Sequence, residues 1–232
     1  MNLTKDQLNS FKQNGFLILN NSKIDLELLN NVRKKFLEIK QNCLDKFYNC
    51  YRVYDDYSKK PNVAGIEYIF SEEIINQDII NIFERSNITE VAKQILGDEN
   101  IILVLDRYHL TSKYSHTGNW HRDGLPNHLE SVQLNIYLYD EQGTEIIPYS
   151  HLRENSQSED KIIRNSVFSS LANSKAIPCK AGQILAFDPA LLHRGKSKDN
   201  RAHIHFRFAK TNTHTKIKSQ ENKLNTKYLE NY

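Results

Sequence analysis

Trp120-His121-Arg122-Asp123-Gly124 sets an imidazole and a carboxylate two residues apart. On an extended segment residues i and i+2 point to the same side, so His121 and Asp123 can converge on one point. Both are good ligands for iron(II), and a second imidazole from a distant strand would complete one triangular face of an octahedron. The run from Ala186 to Gly195 offers that ligand. An apolar strand passes through Asp188-Pro189 into His193, with Leu191 and Leu192 beside it to keep the surroundings partly dry. Three coordination positions would stay open for a co-substrate and oxygen. Arg201 follows His193 by eight residues and opens the strand Arg201 to Phe208. A guanidinium there could bind the remote carboxylate of a dicarboxylic co-substrate through two parallel hydrogen bonds. His-x-Asp alone is a weak signal, since a loop hydrogen-bond pair looks the same. The strand-borne His193 and the arginine after it give the signal its weight.

The elements that must position these residues change character along the chain. Thr4 and Gln7 have capping-box spacing, Leu8 and Phe11 follow as an apolar stripe, and Gly15 ends the helix. Phe16 to Leu19 reads as a short buried strand. Asp25 is a good N-cap for a second helix carrying Leu29, Val32, Phe36 and Ile39 at helical spacing. Tyr51 to Ile69 reads as irregular. A helical stretch is expected from Ser71 through Phe83, and another from a Thr89 cap to Gly97, a usual C-terminal stop. After Gly97 the period changes: strands are expected at Ile101–Leu110, Ser131–Tyr139, Glu145–Ile147, Gln183–Phe187 and His203–Phe208. Short strands between Gly and Pro turns suggest a barrel or sandwich. Parallel crossover units are disfavoured, because helix-length segments are missing between most of these strands. Arg153 to Ser174 is a polar insertion with the look of a mobile flap, and the tail after Lys210 is polar. The expected organisation is one domain over 1–232: a mainly helical part at 1–98, a β-barrel core at 99–210 and a polar tail at 211–232.

Bulk properties narrow the function classes. Hydrophobic residues are 39% and charged residues 25% of 232, values that allow a sizeable buried core and exclude wholesale disorder. A formal net charge of +3 is too small to make nucleic acid or a membrane surface the main partner. Cys43, Cys50 and Cys179 are odd in number and form no CxxC pair, which reads as a reducing compartment. The start lacks a charged-then-apolar secretory pattern, and no apolar run approaches membrane-spanning length. Cytoplasm is the expected location.

With the site residues and the strand order in hand, the chain resembles the phytanoyl-CoA dioxygenase-like family of Fe(II)/2-oxoglutarate-dependent oxygenases. Leu3-Thr4-Lys5-Asp6-Gln7-Leu8 to Asn14-Gly15-Phe16-Leu17-Ile18 is similar to that family's N-terminal signature. Gly143 to His151 resembles its Gly-rich segment ending in Pro-Gly-Ser-His, with Tyr149 in place of the usual Gly. Ala181-Gly182-Gln183-Ile184-Leu185-Ala186-Phe187 to His193-Arg194-Gly195 resembles its third conserved stretch. The resemblance implies a mainly β protein with flanking helices, built on a double-stranded β-helix (jelly-roll, cupin-like) core. It implies Fe(II) at His121, Asp123 and His193, and 2-oxoglutarate as co-substrate on Arg201. The loop from His193 to Arg201 is shorter than the family's, which leaves Arg207, on the same strand parity, as the second candidate. Gly195 stands where the family often places a co-substrate-binding Ser, and Tyr108 and Asn135 align with pocket-lining positions. The implied activity is a dioxygenase hydroxylating a small-molecule metabolite with O2, releasing succinate and CO2. Related halogenases replace the carboxylate by a small residue, so Asp123 argues for hydroxylation or a related oxidation.

Other residues carry weaker signals. His151, Arg122 and Arg153 are candidates for contact with substrate, and each has an equally ordinary structural reading. His203 and His205 share a face with Arg201 and could line the barrel. His109, His116, His128 and His214 read as surface residues or loop partners, and Trp120 as packing behind His121. The alternative to an oxygenase is a non-catalytic small-molecule-binding barrel of the same fold. A metallohydrolase on the same triad would leave Arg201 without a task. No motif names the substrate or the oligomeric state.

Overall fold

The computed structural model describes residues 1–21, 23–42, 50–53, 62–67, 69–72, 74–111, 119–164, 170–195 and 201–211. The expected tail beyond Thr211, and with it His214, lies outside these residues, as do Cys43 and His116.

Helix α1 (Lys5–Asn14) has the full capping box: Thr4 accepts from the Gln7 N–H, and the Gln7 side chain accepts from the Thr4 N–H. Gly15 ends it at φ 79°, and a Cβ there would lie 2.6 Å from His151 Nδ1. That residue must therefore be glycine on two counts, backbone sign and close approach. The chain continues through β1 (Phe16–Leu19) into α2 (Leu26–Asn42), where Asp25 accepts from the Leu28 N–H as expected. Strands β2 (Cys50–Val53) and β3 (Asn62–Glu67) pair antiparallel where an irregular stretch was expected. The alternating apolar pattern that would mark them is broken by Gly65 and the polar residues between. Helix α3 (Gln77–Ser86) starts later than Ser71, because the Asn76 side chain caps the Ile79 N–H and Ser71 to Ile75 is a turn. Helix α4 (Ile88–Leu96) follows at once. Asn87, at φ 54°, closes α3 and opens α4 with no side-chain cap, so Thr89 lies inside the helix.

The strands of the second half are β4 (Ile101–Thr111), β5 (Ser131–Tyr137), β6 (Glu141–Ile146), β7 (Lys175–Cys179), β8 (Ile184–Phe187), β9 (His193–Gly195) and β10 (Arg201–Lys210). They form a seven-stranded sheet in the order β1-β8-β5-β10-β4-β3-β2 and a three-stranded sheet β7-β6-β9. All these pairings are antiparallel, as the short spacing required. A bridge between His121 and His193 adds one more short segment to the edge of the smaller sheet, beside β9. The two sheets facing each other make the expected double-stranded β-helix.

Side-chain alternation divides the core. On the outer face of the large sheet Leu134, Ile136, Ile184, Ala186, Ile204 and Phe206 pack against α2, α3 and α4. On the inner face Leu185, Phe187 and Tyr137 meet Ile146, Ile177 and Leu191 of the opposite layer. Helix α5 (Gln157–Arg164), inside the expected flap, closes the back of the smaller sheet: Ile162 and Ile163 pack on Trp120, Ile147, Leu171 and Leu192.

Candidate metal centre

His121 and His193 face each other across two backbone hydrogen bonds, His121 N–H to His193 O at 2.9 Å and the reverse at 3.0 Å. Opposed residues of such a pair project to the same face. Two residues on, the Asp123 N–H bonds the Pro189 carbonyl at 2.8 Å, which turns its carboxylate toward the same point. His121 Nε2 lies 4.0 Å from Asp123 Oδ1, and His193 Nε2 lies 3.9 Å from Asp123 Oδ2. One ligand atom from each of the three residues falls within 4.8 Å of the others, close enough for a single cation to touch all three.

The ring orientations are set from behind. His121 Nδ1 is 2.8 Å from the Asn119 carbonyl oxygen, and His193 Nδ1 is 2.8 Å from that of Leu191. A carbonyl only accepts, so each Nδ1 carries the proton and each Nε2 presents its lone pair to the site. Burial, with His121 adjacent, pushes the His193 pKa down to about 3, so the ring is neutral and ready to ligate. Burial pulls the Asp123 carboxyl upward, but His193, Arg207 and His121 outweigh it and hold it below the usual carboxylate range. Two imidazoles that turn Nε2 to the site and one carboxylate on the same face fit a divalent iron with open positions.

The three candidate ligands edge a cavity of about 390 Å³ whose walls are Arg107, His109, Gln133, Asn135, Thr144, Phe187, His203 and His205, among others. The register explains the set: His205 stands between Arg107 and Asn135, and His203 between His109 and Tyr137. Burial and the nearby Arg207 and Arg107 keep His205 well below its ordinary pKa, hence neutral. Asn135 therefore lines the pocket as expected. Tyr108 does not: one residue out of phase, it faces the helices and stacks on Phe36 with ring centroids 3.9 Å apart. His109, expected at the surface, is buried in the pocket wall. Gln133, Thr144 and Arg107 were missed, although Gln133 shares strand parity with Asn135 and Arg107 is the register partner of His205; Thr144 enters from the opposite sheet, where it pairs with Gly195. Arg201 opens β10, but its side chain lies outside the described part of the structure. Arg207 bonds Asp123 and Gln133.

The three candidate substrate contacts have structural employment. His151 lies away from the metal pocket, with Nε2 3.1 Å from the Lys12 carbonyl and its ring against Gly15. Arg122 reaches the pocket edge but spends its guanidinium on Asn155 and on the carbonyls of Ser150, Ala190 and Arg153. Arg153 forms a two-pronged bond with Glu159 at 2.8 and 2.7 Å, fastening α5. Trp120 packs behind His121 as expected, with the Arg194 guanidinium 4.7 Å over its ring.

The sequence profile of the family described as Phytanoyl-CoA dioxygenase (PhyH) matches residues 11–207. The chain belongs to the phytanoyl-CoA dioxygenase family. It is a 2-oxoglutarate-dependent non-haem iron enzyme. No curated protein matches the sequence. Solved structures share the fold at low identity. AviO1 from Streptomyces viridochromogenes Tue57 superposes with a TM-score of 0.68 at 14% identity, over 89% of this chain and 94% of that one. EctD from S. alaskensis, solved with 2-oxoglutarate and 5-hydroxyectoine, gives 0.64 at 14% identity, over 90% and 77%. SnoK, a non-heme alpha ketoglutarate dependent carbocyclase from nogalamycin biosynthesis, gives 0.63 at 14% identity, over 90% and 85%. Among the described residues no helix is long and apolar enough to cross a membrane.

Proposed function

We propose that His121, Asp123 and His193 hold the iron of a dioxygenase that hydroxylates a small polar metabolite. The observation that carries this reading is the convergence of the three ligand atoms within 4.8 Å, with both imidazoles turned by their Nδ1 partners. Iron and 2-oxoglutarate, when bound, supply the oxidising power, with succinate and CO2 as co-products. The chain supplies the rest. Asn135, its Oδ1 buried without a partner, is a hydrogen-bonding wall for co-substrate. Arg201 is the proposed anchor for the co-substrate's far carboxylate, at the start of the strand that carries His203 and His205. Leu191 and Leu192, both fully buried, keep bulk water from the back of the ligands.

The walls also bear on the substrate. Among the described lining side chains, Phe187 is the one hydrocarbon surface, and the rest are imidazoles, guanidinium groups, amides, a hydroxyl and a carboxylate. A polar metabolite would find donors and acceptors there.

Anaerobic titration with Fe(II) and then 2-oxoglutarate tests the reading. A weak visible charge-transfer absorption should appear only when both are present, and should fade in Arg201→Ala. Iron uptake with no optical response to 2-oxoglutarate would overturn the placement of the co-substrate at this metal.

A further inference from the structure

We propose that Arg207 is a positioning residue for the metal, holding Asp123 by Oδ2 so that Oδ1 is the oxygen offered to the cation. The inference rests on the reading of His121, Asp123 and His193 as the ligands. Arg207 Nη2 donates to Asp123 Oδ2 at 2.5 Å and to Gln133 Oε1 at 2.6 Å. Gln133 is the register partner of Arg207 across β5 and β10 and is itself buried, so the guanidinium is tethered to the sheet before it reaches Asp123. The register of β10 against β4 shifts between Arg207 and Phe208. The extra residue is Val104 on β4, so β10 keeps its own alternation and Arg207 stays on the face of His203 and His205.

Asp123 needs such a hold. It lies beyond the His121 bridge, and its side chain keeps 31% of its surface exposed, against 6% for His193. An untethered carboxylate could grip the cation with both oxygens and take a position that co-substrate or oxygen requires. A donor fixed on Oδ2 prevents this. Ligating carboxylates held in this way commonly lose metal affinity about 10–100-fold when the holding group is removed. Charge alone predicts the opposite sign: a guanidinium beside the site repels a divalent cation, so deleting it would tighten binding. The direction of the change therefore separates positioning from simple neutralisation of Asp123.

The test uses Co(II) alone, followed by its visible ligand-field absorption, on the full chain with thermal unfolding as a check on folding. Arg207→Met should bind Co(II) about 10–100-fold more weakly and with an altered spectrum. Arg207→Lys should recover part of the affinity and the wild-type band shape, because an ammonium can still donate to Oδ2. Gln133→Leu should shift both readouts the same way by less. Equal or tighter binding with the wild-type spectrum in Arg207→Met overturns the inference. If that variant does not fold, wild-type affinity and spectrum in Gln133→Leu overturn it. A wild-type protein that takes up no Co(II) overturns the ligand assignment itself, a distinct result.

Discussion

The two faces of the seven-stranded sheet share every strand and have little chemistry in common. Strand β10 shows it within a few residues. Ala202, Ile204, Phe206 and Phe208 are buried against helices, while His203, His205 and Arg207, between them, face the cavity or the metal ligands. The side chains of both faces are buried, so the difference is in what compensates burial. On the helix face, removing hydrocarbon from water is favourable by itself, at about 25 cal/mol per Å². On the inner face, polar atoms such as Asn135 Oδ1 and His205 Nε2 are buried with no protein partner. Such atoms cost stability unless something binds them. The sheet thus gains its stability from one side and reserves the other for ligands.

Substitutions on the two sides should separate binding from stability. The largest effect is expected for His121→Ala. Metal affinity, measured by Co(II) titration, should fall by more than the roughly 100-fold that loss of an outer partner can cause. The urea unfolding free energy should change by less than about 1 kcal/mol, because the His121 side chain keeps 35% of its surface in water. Phe206→Ala reverses the pattern. Its ring packs edge-on to Phe83 at 5.4 Å in the helix-facing core, and its removal should cost about 3–5 kcal/mol. Co(II) affinity of the folded fraction should stay within about twofold of wild type. A large loss of affinity there would show that the two faces are coupled and that the separation does not hold.

The smaller sheet offers an intermediate case, a charged pair buried behind the site. Arg194 bonds Glu145 at 2.8 Å, and Ser174 donates to the other Glu145 oxygen at 2.8 Å. Glu145→Leu removes a carboxylate that holds the buried Arg194 guanidinium and should cost about 3 kcal/mol in urea unfolding. Glu145→Leu with Arg194→Met should recover most of that loss, because burying an apolar pair removes the desolvation cost of both charges. No recovery would mean that the pair holds β6 to β9 by geometry as well as by charge.

This contrast also explains how much the sequence disclosed. The proposed metal ligands could be picked out because i,i+2 spacing on extended backbone and a His after an apolar strand are local patterns. The long strands were legible from alternation, which is strong in β10 and β5. Tyr108 was misplaced by one step of that alternation, and with a period of two, one step moves a side chain to the opposite face. Strand β9 is three residues long, too short to show a period, and exists because His121 and the Thr144–Ile146 segment pair with it. Strand β7 carries Pro178, which weakens a strand reading. Arg122, Arg153 and His151 looked like substrate contacts because a polar side chain near a site has no sequence mark that tells a ligand from a loop brace. Only their carbonyl and carboxylate partners decide it.

The brace formed by Arg153 gives a pH-dependent prediction. Its two-pronged bond, helped by the Ser156 N–H, holds the Glu159 pKa down to about 2 from an ordinary 4.5, against the upward pull of burial. A depressed carboxylate stabilises the fold above its ordinary pKa and loses that contribution as pH falls toward the folded value. Arg153 is half exposed, so solvent screening limits the contribution to about 1 kcal/mol. Urea midpoints of wild type and Arg153→Ala should therefore differ at pH 6 and converge between about pH 4.5 and 2. A difference that persists at the acid end would assign the role of Arg153 to packing.

The smallest effect is expected at Tyr149, which occupies φ 64° at the start of the turn Ser150–Leu152, where the resembling family carries glycine. A left-handed backbone costs an L-residue roughly 1–2 kcal/mol, and glycine gives back about 0.5–1 kcal/mol through the freedom it adds to the unfolded chain. The Tyr149 ring is half exposed and is not among the described residues that line the cavity, so little packing opposes the change. Tyr149→Gly should then stabilise the protein by about 0.5 kcal/mol with Co(II) affinity unchanged. Destabilisation instead would mean that the ring contributes more than the strain it imposes. Weaker Co(II) binding would mean that the turn reaches the metal through Ser150, whose hydroxyl accepts from the Leu192 N–H at 2.8 Å beside His193.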